Sequence, residues 1–245
     1  MIARNHWALR AVTVSMLVVG TACGGQTPAG NAGGQPAVQA TGATGGTISA
    51  GPQPGAVASP SAGASTRKWN FDADPVGSLP AGAQSFSGQW AVRVEPDAPS
   101  PPNALCQTGQ AEYPAIGLDS TQLTDLTLVM HFKPISGKTD QAGGLIFRVQ
   151  DKANYYIFRA NALENNAIFF TYVNAGRSQL TSGDAKVASG SWHELRVEVR
   201  GNAFRGFVDG KQVVDAIDDR YKSGGIGLWT KSDSVTCFDD VEVTP

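Results

Sequence analysis

Leu126-Thr127-Leu128-Val129-Met130-His131-Phe132 alternates apolar and polar side chains with a period of two, so Leu126, Leu128, Met130 and Phe132 face one way. That is the signature of a half-buried strand. Outward along the chain, comparable runs occupy 144–150, 155–161, 167–173, 192–200, 204–209, 225–230 and 236–243, punctuated by Gly, Asn and Asp. Between Phe207-Val208 and Gln212-Val213-Val214, the dipeptide Asp209-Gly210 predicts a two-residue hairpin, because glycine accepts positive φ without penalty. About a dozen short strands with almost no helical period predict an all-β fold, a two-sheet antiparallel sandwich.

The composition changes abruptly near Trp69. All 21 acidic residues, every tyrosine and every phenylalanine lie beyond it. Residues 24–66 hold neither a charge nor an aromatic ring, and too little apolar surface to offset the entropy of ordering. The expected organisation is a signal over 1–22, a disordered tether over 23–67 and a sandwich domain over 68–245. A flexible coil of the tether's length separates its ends by roughly 35 to 40 Å.

At the N-terminus, Arg4 and Arg10 precede an apolar run from 11 to 20, the layout of a secretory signal and too short for a bilayer span. The run ends in Gly20-Thr21-Ala22-Cys23, which resembles the lipobox of bacterial lipoproteins, though Gly20 stands where leucine is commonest. The resemblance implies a lipid on Cys23, a membrane anchor and an extracytoplasmic address. Simple cleavage after Ala22 is the competing reading. Cys106 and Cys237 then remain; in an oxidising compartment they form a bridge, or they pack separately as small apolar groups. Loss of the two N-terminal arginines leaves 17 basic against 21 acidic residues, and no cluster of Lys and Arg appears. Nucleic acid is therefore an unsuitable partner.

The strings Asp140–Asp151, Asn154–Asn165, Trp192–Gly201 and Gly225–Lys231, with Phe238-Asp239-Asp240-Val241, look like the concanavalin A-like jelly roll. Within that superfamily the chain is most similar to laminin-G-like domains and to bacterial 3-keto-disaccharide hydrolase domains. The resemblance implies a jelly roll from Trp69 to Pro245 and a sugar-handling or adhesive role, without supplying catalytic residues.

Strand alternation places Leu145, Phe147 and Val149 with Tyr156, Phe158 and Ala160 toward the core. The opposite face then carries Arg148, Gln150, Tyr155, Arg159 and Asn161, with Gln150 paired to Tyr155 and Glu164 in the next turn. Trp229 alternates with Gly225 and Gly227, so its indole stands on a cleared surface, with Lys231 just beyond. Such a set offers in-plane donors, acceptors and a stacking ring to a carbohydrate or glycoconjugate. The competing reading pairs the two arginines with acids on a solvated sheet and packs Trp229 against a crossing loop.

Asp72, Asp74, Asp239 and Asp240 lie in or beside the first and last strands; they are either turn acids or weak Ca²⁺ ligands, and no other cofactor is expected. His193 precedes Leu195, Val197 and Val199 at strand spacing and reads as structural. No nucleophile elbow and no paired-carboxylate motif occur; Glu95-Pro96-Asp97 comes nearest and is broken by proline. Glu164 is the acid to test first, and a binding module without catalysis is the leading expectation. An envelope hydrolase and a laminin-G-like adhesion module are the alternatives.

Overall fold

The computed structural model describes residues 65–245. The expected signal, Cys23 and nearly all of the expected tether lie outside the described residues. Fifteen strands follow among those described: β1 (Arg67–Trp69), β2 (Gln84–Ser87), β3 (Trp90–Val94), β4 (Asn103–Gln107), β5 (Ala115–Leu123), β6 (Leu126–Ser136), β7 (Ala142–Asp151) and β8 (Asn154–Asn161) come first. The remainder are β9 (Asn166–Val173), β10 (Gly176–Asp184), β11 (His193–Arg200), β12 (Ala203–Val208), β13 (Lys211–Ile217), β14 (Gly224–Trp229) and β15 (Val235–Thr244). They form two antiparallel sheets. One runs β13-β12-β11-β6-β15-β4-β3 with β1 added beside β15; the other runs β10-β9-β8-β7-β14-β5-β2.

The alternation of β6 decides the packing as the sequence leads one to expect. Leu126, Leu128, Met130 and Phe132 are buried with Leu195, Val197 and Val199 of the neighbouring β11. Across the sandwich they meet Leu145, Phe147, Tyr156, Phe158 and Phe169. Phe147 is the hub of the aromatic core, with its centroid 5.2 Å from Phe204 edge-to-face and 5.3 Å from Tyr156. The Asp209-Gly210 turn has φ of 49° and 77°, the two positive values a twist-matched two-residue hairpin needs.

Cys106 on β4 lies directly opposite Cys237 on β15, and the two are disulfide-bonded. His193 is a structural residue: Nδ1 bonds Asp209 at 2.8 Å, and Nε2 accepts the Ala188 amide at 2.9 Å. Glu95 and Asp97 are structural too, since both carboxylates grip Lys133 Nζ, at 2.8 and 2.7 Å.

Candidate functional site

The expected open face bearing Arg148, Tyr155, Arg159 and Trp229 does not exist, and a bulge in the hairpin is the first reason. Phe147 pairs with Tyr156 and Asp151 with Asn154, so residues 148–150 oppose Tyr155 alone. Arg148 has φ 48° and leaves the alternation. Its guanidinium turns inward, 5.5 Å from the Phe204 ring centre, and donates to the carbonyls of Thr124 (2.8 Å), Tyr221 (2.9 Å) and Gly201. Burial pulls its pKa below the usual arginine range. Val149, expected inside, packs instead on the outer side of the seven-stranded sheet. Gln150 does not pair with Tyr155; its amide donates to the Arg148 carbonyl at 3.0 Å and to the Ser223 carbonyl.

The second reason is that this outer side is itself a packed layer. Ile146, Ile157, Ile168 and Phe170 make its floor. Trp229 lies over it fully buried, with Tyr113 stacked on the indole at 6.0 Å and 21°. Gly144, the partner of Trp229 on β7, has no side chain to obstruct the indole. Arg177 arrives from the opposite edge of the sheet. Its strand is four positions from that of Trp229, about 19 Å at ordinary strand spacing, yet the guanidinium carbon is 5.6 Å from the Trp229 ring centre. Tyr113, Trp229 and Arg177 thus roof the face.

Under that roof the remaining expected residues serve one another. Arg159, 3% exposed, donates to Glu164 at 2.7 Å and to Asn166. Burial lowers the pKa of Arg159 despite the attraction of Glu164. Burial pushes Glu164 upward, but the charge of Arg159 and its hydrogen bond outweigh this and hold the carboxyl below its usual range. Asn161 donates to Asp140 at 2.8 Å and accepts the amides of Gln141 and Leu163, fixing the turn after β8. Lys231 closes the chain on the other Asp140 oxygen at 2.8 Å. Glu164 reaches solvent on a different side, in a pocket shared with Asp184, Lys186 and Lys211.

A groove lies open on the same sheet at its β2-β5-β14 side. Its larger part, about 520 Å³, is lined by Gln84, Phe86, Asp119, Gln122, Gln150 and Lys152. Its floor includes the bare backbone of Gly117 and Gly225. A Cβ on Gly117 would lie 2.9 Å from the Phe86 ring, and one on Gly225 would lie 2.3 Å from the Asp119 carbonyl oxygen. A second part, about 340 Å³, continues past Phe86 and Lys152 to Tyr113, Tyr155 and Tyr172. Tyr155 stacks on Tyr172 at 4.6 Å, and burial raises its pKa above the usual phenol value. Of the eight residues expected to bind ligand, Gln150 and Tyr155 line this groove. Phe86, Tyr113 and Lys152 went unforeseen; Phe86 and Tyr113 sit outside any long alternating run, which left no signal in their local pattern.

The carboxylates weighed as Ca²⁺ ligands are spent separately. Asp72 accepts the Asn103 amide at 3.2 Å and the Asn70 side chain at 2.9 Å. Asp239 accepts the Ser100 amide at 2.8 Å and the Ser100 hydroxyl. Asp240, next to it, takes φ 46°. Among the described residues, these acids are not gathered in threes at coordination distance.

Burial pushes the Asp239 carboxyl up from 3.8 to about 6, against the Ser100 hydrogen bonds that favour its charged form. The folded state therefore holds the proton more tightly than the unfolded one. The associated stability is fully present below the unfolded value and is lost as pH rises through the folded value, an effect of at most about 3 kcal/mol. Chemical denaturation from about pH 4 to about pH 7 should show Asp239→Asn losing less stability with rising pH than wild type. Superimposable profiles would remove Asp239 from the pH response.

Residues 103–244 match the family described as the 3-keto-alpha-glucoside-1,2-lyase-like domain. A levanase of Bacillus subtilis (strain 168) is 24% identical over 163 residues, 65% of this chain and 22% of the levanase. The chain thus corresponds to about a fifth of that curated relative's length. Among solved structures, the carbohydrate-binding module CBM66 of Bacillus subtilis aligns with a TM-score of 0.57 and 23% identity, over 66% of this chain and 96% of the module. Domain 4 of AbnA, a GH43 extracellular arabinanase of Geobacillus stearothermophilus in complex with arabinotriose, aligns at 0.50 and 13%, over 72% and 89%. At these identities the structural likenesses speak for the fold.

Proposed function

This chain belongs to the 3-keto-alpha-glucoside-1,2-lyase-like domain family, and from that premise we propose that it is an exported carbohydrate-binding β-sandwich module whose ligand lies in the groove beside Phe86. The observation that carries the reading is the groove's composition. A half-exposed aromatic ring stands over a floor of backbone at Gly117 and Gly225, flanked by the side chains of Gln84, Gln122 and Gln150 and the charge of Lys152. A ring face suits the C–H surface of a sugar, and side-chain amides and an ammonium meet its hydroxyls. Kinship with a levanase, and a fold shared with a carbohydrate-binding module and an arabinotriose-bound domain, support an oligosaccharide ligand.

A glycan-array screen of the full chain, followed by titration of a hit, tests this. Phe86→Ala is expected to weaken binding at least about tenfold, about 1.4 kcal/mol, with the fold retained by circular dichroism. Unchanged affinity, or no hit at all, would contradict the assignment. The family's description favours one rival, cleavage of 3-keto glycosides, and Asp119 and Asp151 both line the groove. Each carboxylate is already engaged. Asp119 pairs with Arg67 and accepts the Thr121 amide at 2.7 Å, and Asp151 accepts the Ala153 amide at 2.7 Å. Turnover of a 3-keto glycoside by the array-positive protein would favour the rival.

Export and anchoring complete the proposal. A signal over 1–22, a lipid on Cys23 and a tether over 23–67, without charge as far as residue 66, would hold the module outside the cytoplasm, where the Cys106–Cys237 bond persists. Cys23→Ser is expected to move the protein from the membrane to the soluble fraction of cells. Continued sedimentation with membranes would rule the lipid out.

A further inference from the structure

At the aromatic end of the groove, three buried nitrogen donors have no acceptor: Arg177 Nη1, Arg159 Nε and Trp229 Nε1. They belong to one patch. The Arg177 guanidinium carbon lies 4.2 Å from the Phe170 ring centre, 5.0 Å from Tyr113 and 5.6 Å from Trp229, and the Arg159 guanidinium carbon lies 5.7 Å from Phe170. Arg159 and Trp229 are almost wholly buried, at 3% and 0% exposure, so bulk water does not serve them. Among the neighbouring charges, Lys231 is paired with Asp140 and the outer nitrogens of Arg159 with Glu164 and Asn166, while Glu112, which lines the same end of the groove, has no ion pair among the described residues. Arg177 has no ion pair among the described residues.

An orphaned buried donor loses its hydration with no bond in exchange, and one such group in a native fold calls for an explanation. Three around one aromatic patch, all donors and two of them on cations, favour an acceptor of negative charge. A carboxylate meets this description, because its two oxygens match the planar fork of a guanidinium. Tyr113 places the patch beside the sugar groove: its ring lines the groove, stacks on Trp229 and lies under Arg177.

Resting on the groove reading above, we propose that the ligand is an acidic glycan, a uronic-acid oligosaccharide whose carboxylate is received by Arg177, with Trp229 Nε1 and Arg159 Nε as the donors behind it. The half-buried Tyr113 ring forms the boundary the carboxylate passes. Arg177 is thereby a specificity-determining residue, and neutral sugars of the same shape leave the donors unserved.

Calorimetric titration of the full chain tests this with oligomers of galacturonic, glucuronic and mannuronic acid, each against its carboxyl-reduced neutral counterpart, and with sodium acetate alone. At least one acidic oligomer is expected to bind tenfold or more tightly than its reduced form. That advantage should shrink as salt is raised and vanish in Arg177→Gln, while the affinity of the reduced form is unchanged. Equal binding of acidic and reduced oligomers, or binding of neutral sugars alone, would overturn the acidic specificity and leave the groove reading standing. Binding of acetate without any uronate would overturn it by showing an anion site unconnected to sugar. Silence from every oligosaccharide, acidic or neutral, would overturn both readings.

Discussion

Arg148→Ala is expected to lower folding stability by about 3–5 kcal/mol, lowering the melting temperature by about 10 °C for a domain of this size. The side chain donates to the carbonyls of Thr124, Tyr221 and Gly201, which come from three separate connections, and it packs on Phe204. Truncation leaves acceptors facing a cavity and unties the β5-β6, β11-β12 and β13-β14 connections together. Lysine is not a substitute, because one ammonium cannot reproduce a forked contact to three oxygens. Arg148→Lys should recover less than half of the loss in a urea titration. A variant as stable as wild type would mean that the three carbonyls find water at no cost and that the inward turn of Arg148 is incidental.

Loss of the Cys106–Cys237 bond is expected to cost about 2–5 kcal/mol. The bond joins β4 to the C-terminal strand across a sequence separation of 131 residues, so it removes many conformations from the unfolded chain. It also pins β15, which pairs with β6 along its length, with β4 over its first part and with β1 over its last. The double variant Cys106→Ala, Cys237→Ala should unfold at a lower urea concentration than wild type, and wild type should move to meet it when a reductant is added. Coincident curves with and without reductant would show that strand pairing alone holds β15.

The sequence carried the fold more legibly than the site. Period-two runs such as 126–132 and 192–200 lie at the middle of the first sheet, with one face in the core, and their alternation translates directly into burial. The second sheet reads differently. Tyr155-Tyr156-Ile157-Phe158 and Ile168-Phe169-Phe170 are continuous apolar runs, the mark of strands covered on both sides. Treating only Tyr156 and Phe158 as buried left Ile157, Ile146 and Phe170 unassigned, and with them the packed outer layer beneath Trp229. The bulge at 148–150 was illegible for a different reason: an inserted pair of residues inverts Arg148 and Val149, and period-two reading assumes that nothing is inserted. Arg177 lies farthest from prediction. It is one arginine on an exposed edge strand, and its importance comes from reaching across to Trp229, a relation that no local pattern encodes.

The proposed groove puts ligand recognition on the outer side of the seven-stranded sheet, beside the roof formed by Tyr113, Trp229 and Arg177. Backbone amide chemical-shift mapping of the ¹⁵N-labelled protein with an array-identified oligosaccharide tests that location most directly. The shifts should concentrate on Gln84, Phe86, Gly117, Gln150, Lys152 and Gly225 and extend toward Tyr113. Shifts gathered on the outer side of the eight-stranded sheet, or in the Asp184 and Lys211 pocket, would contradict it.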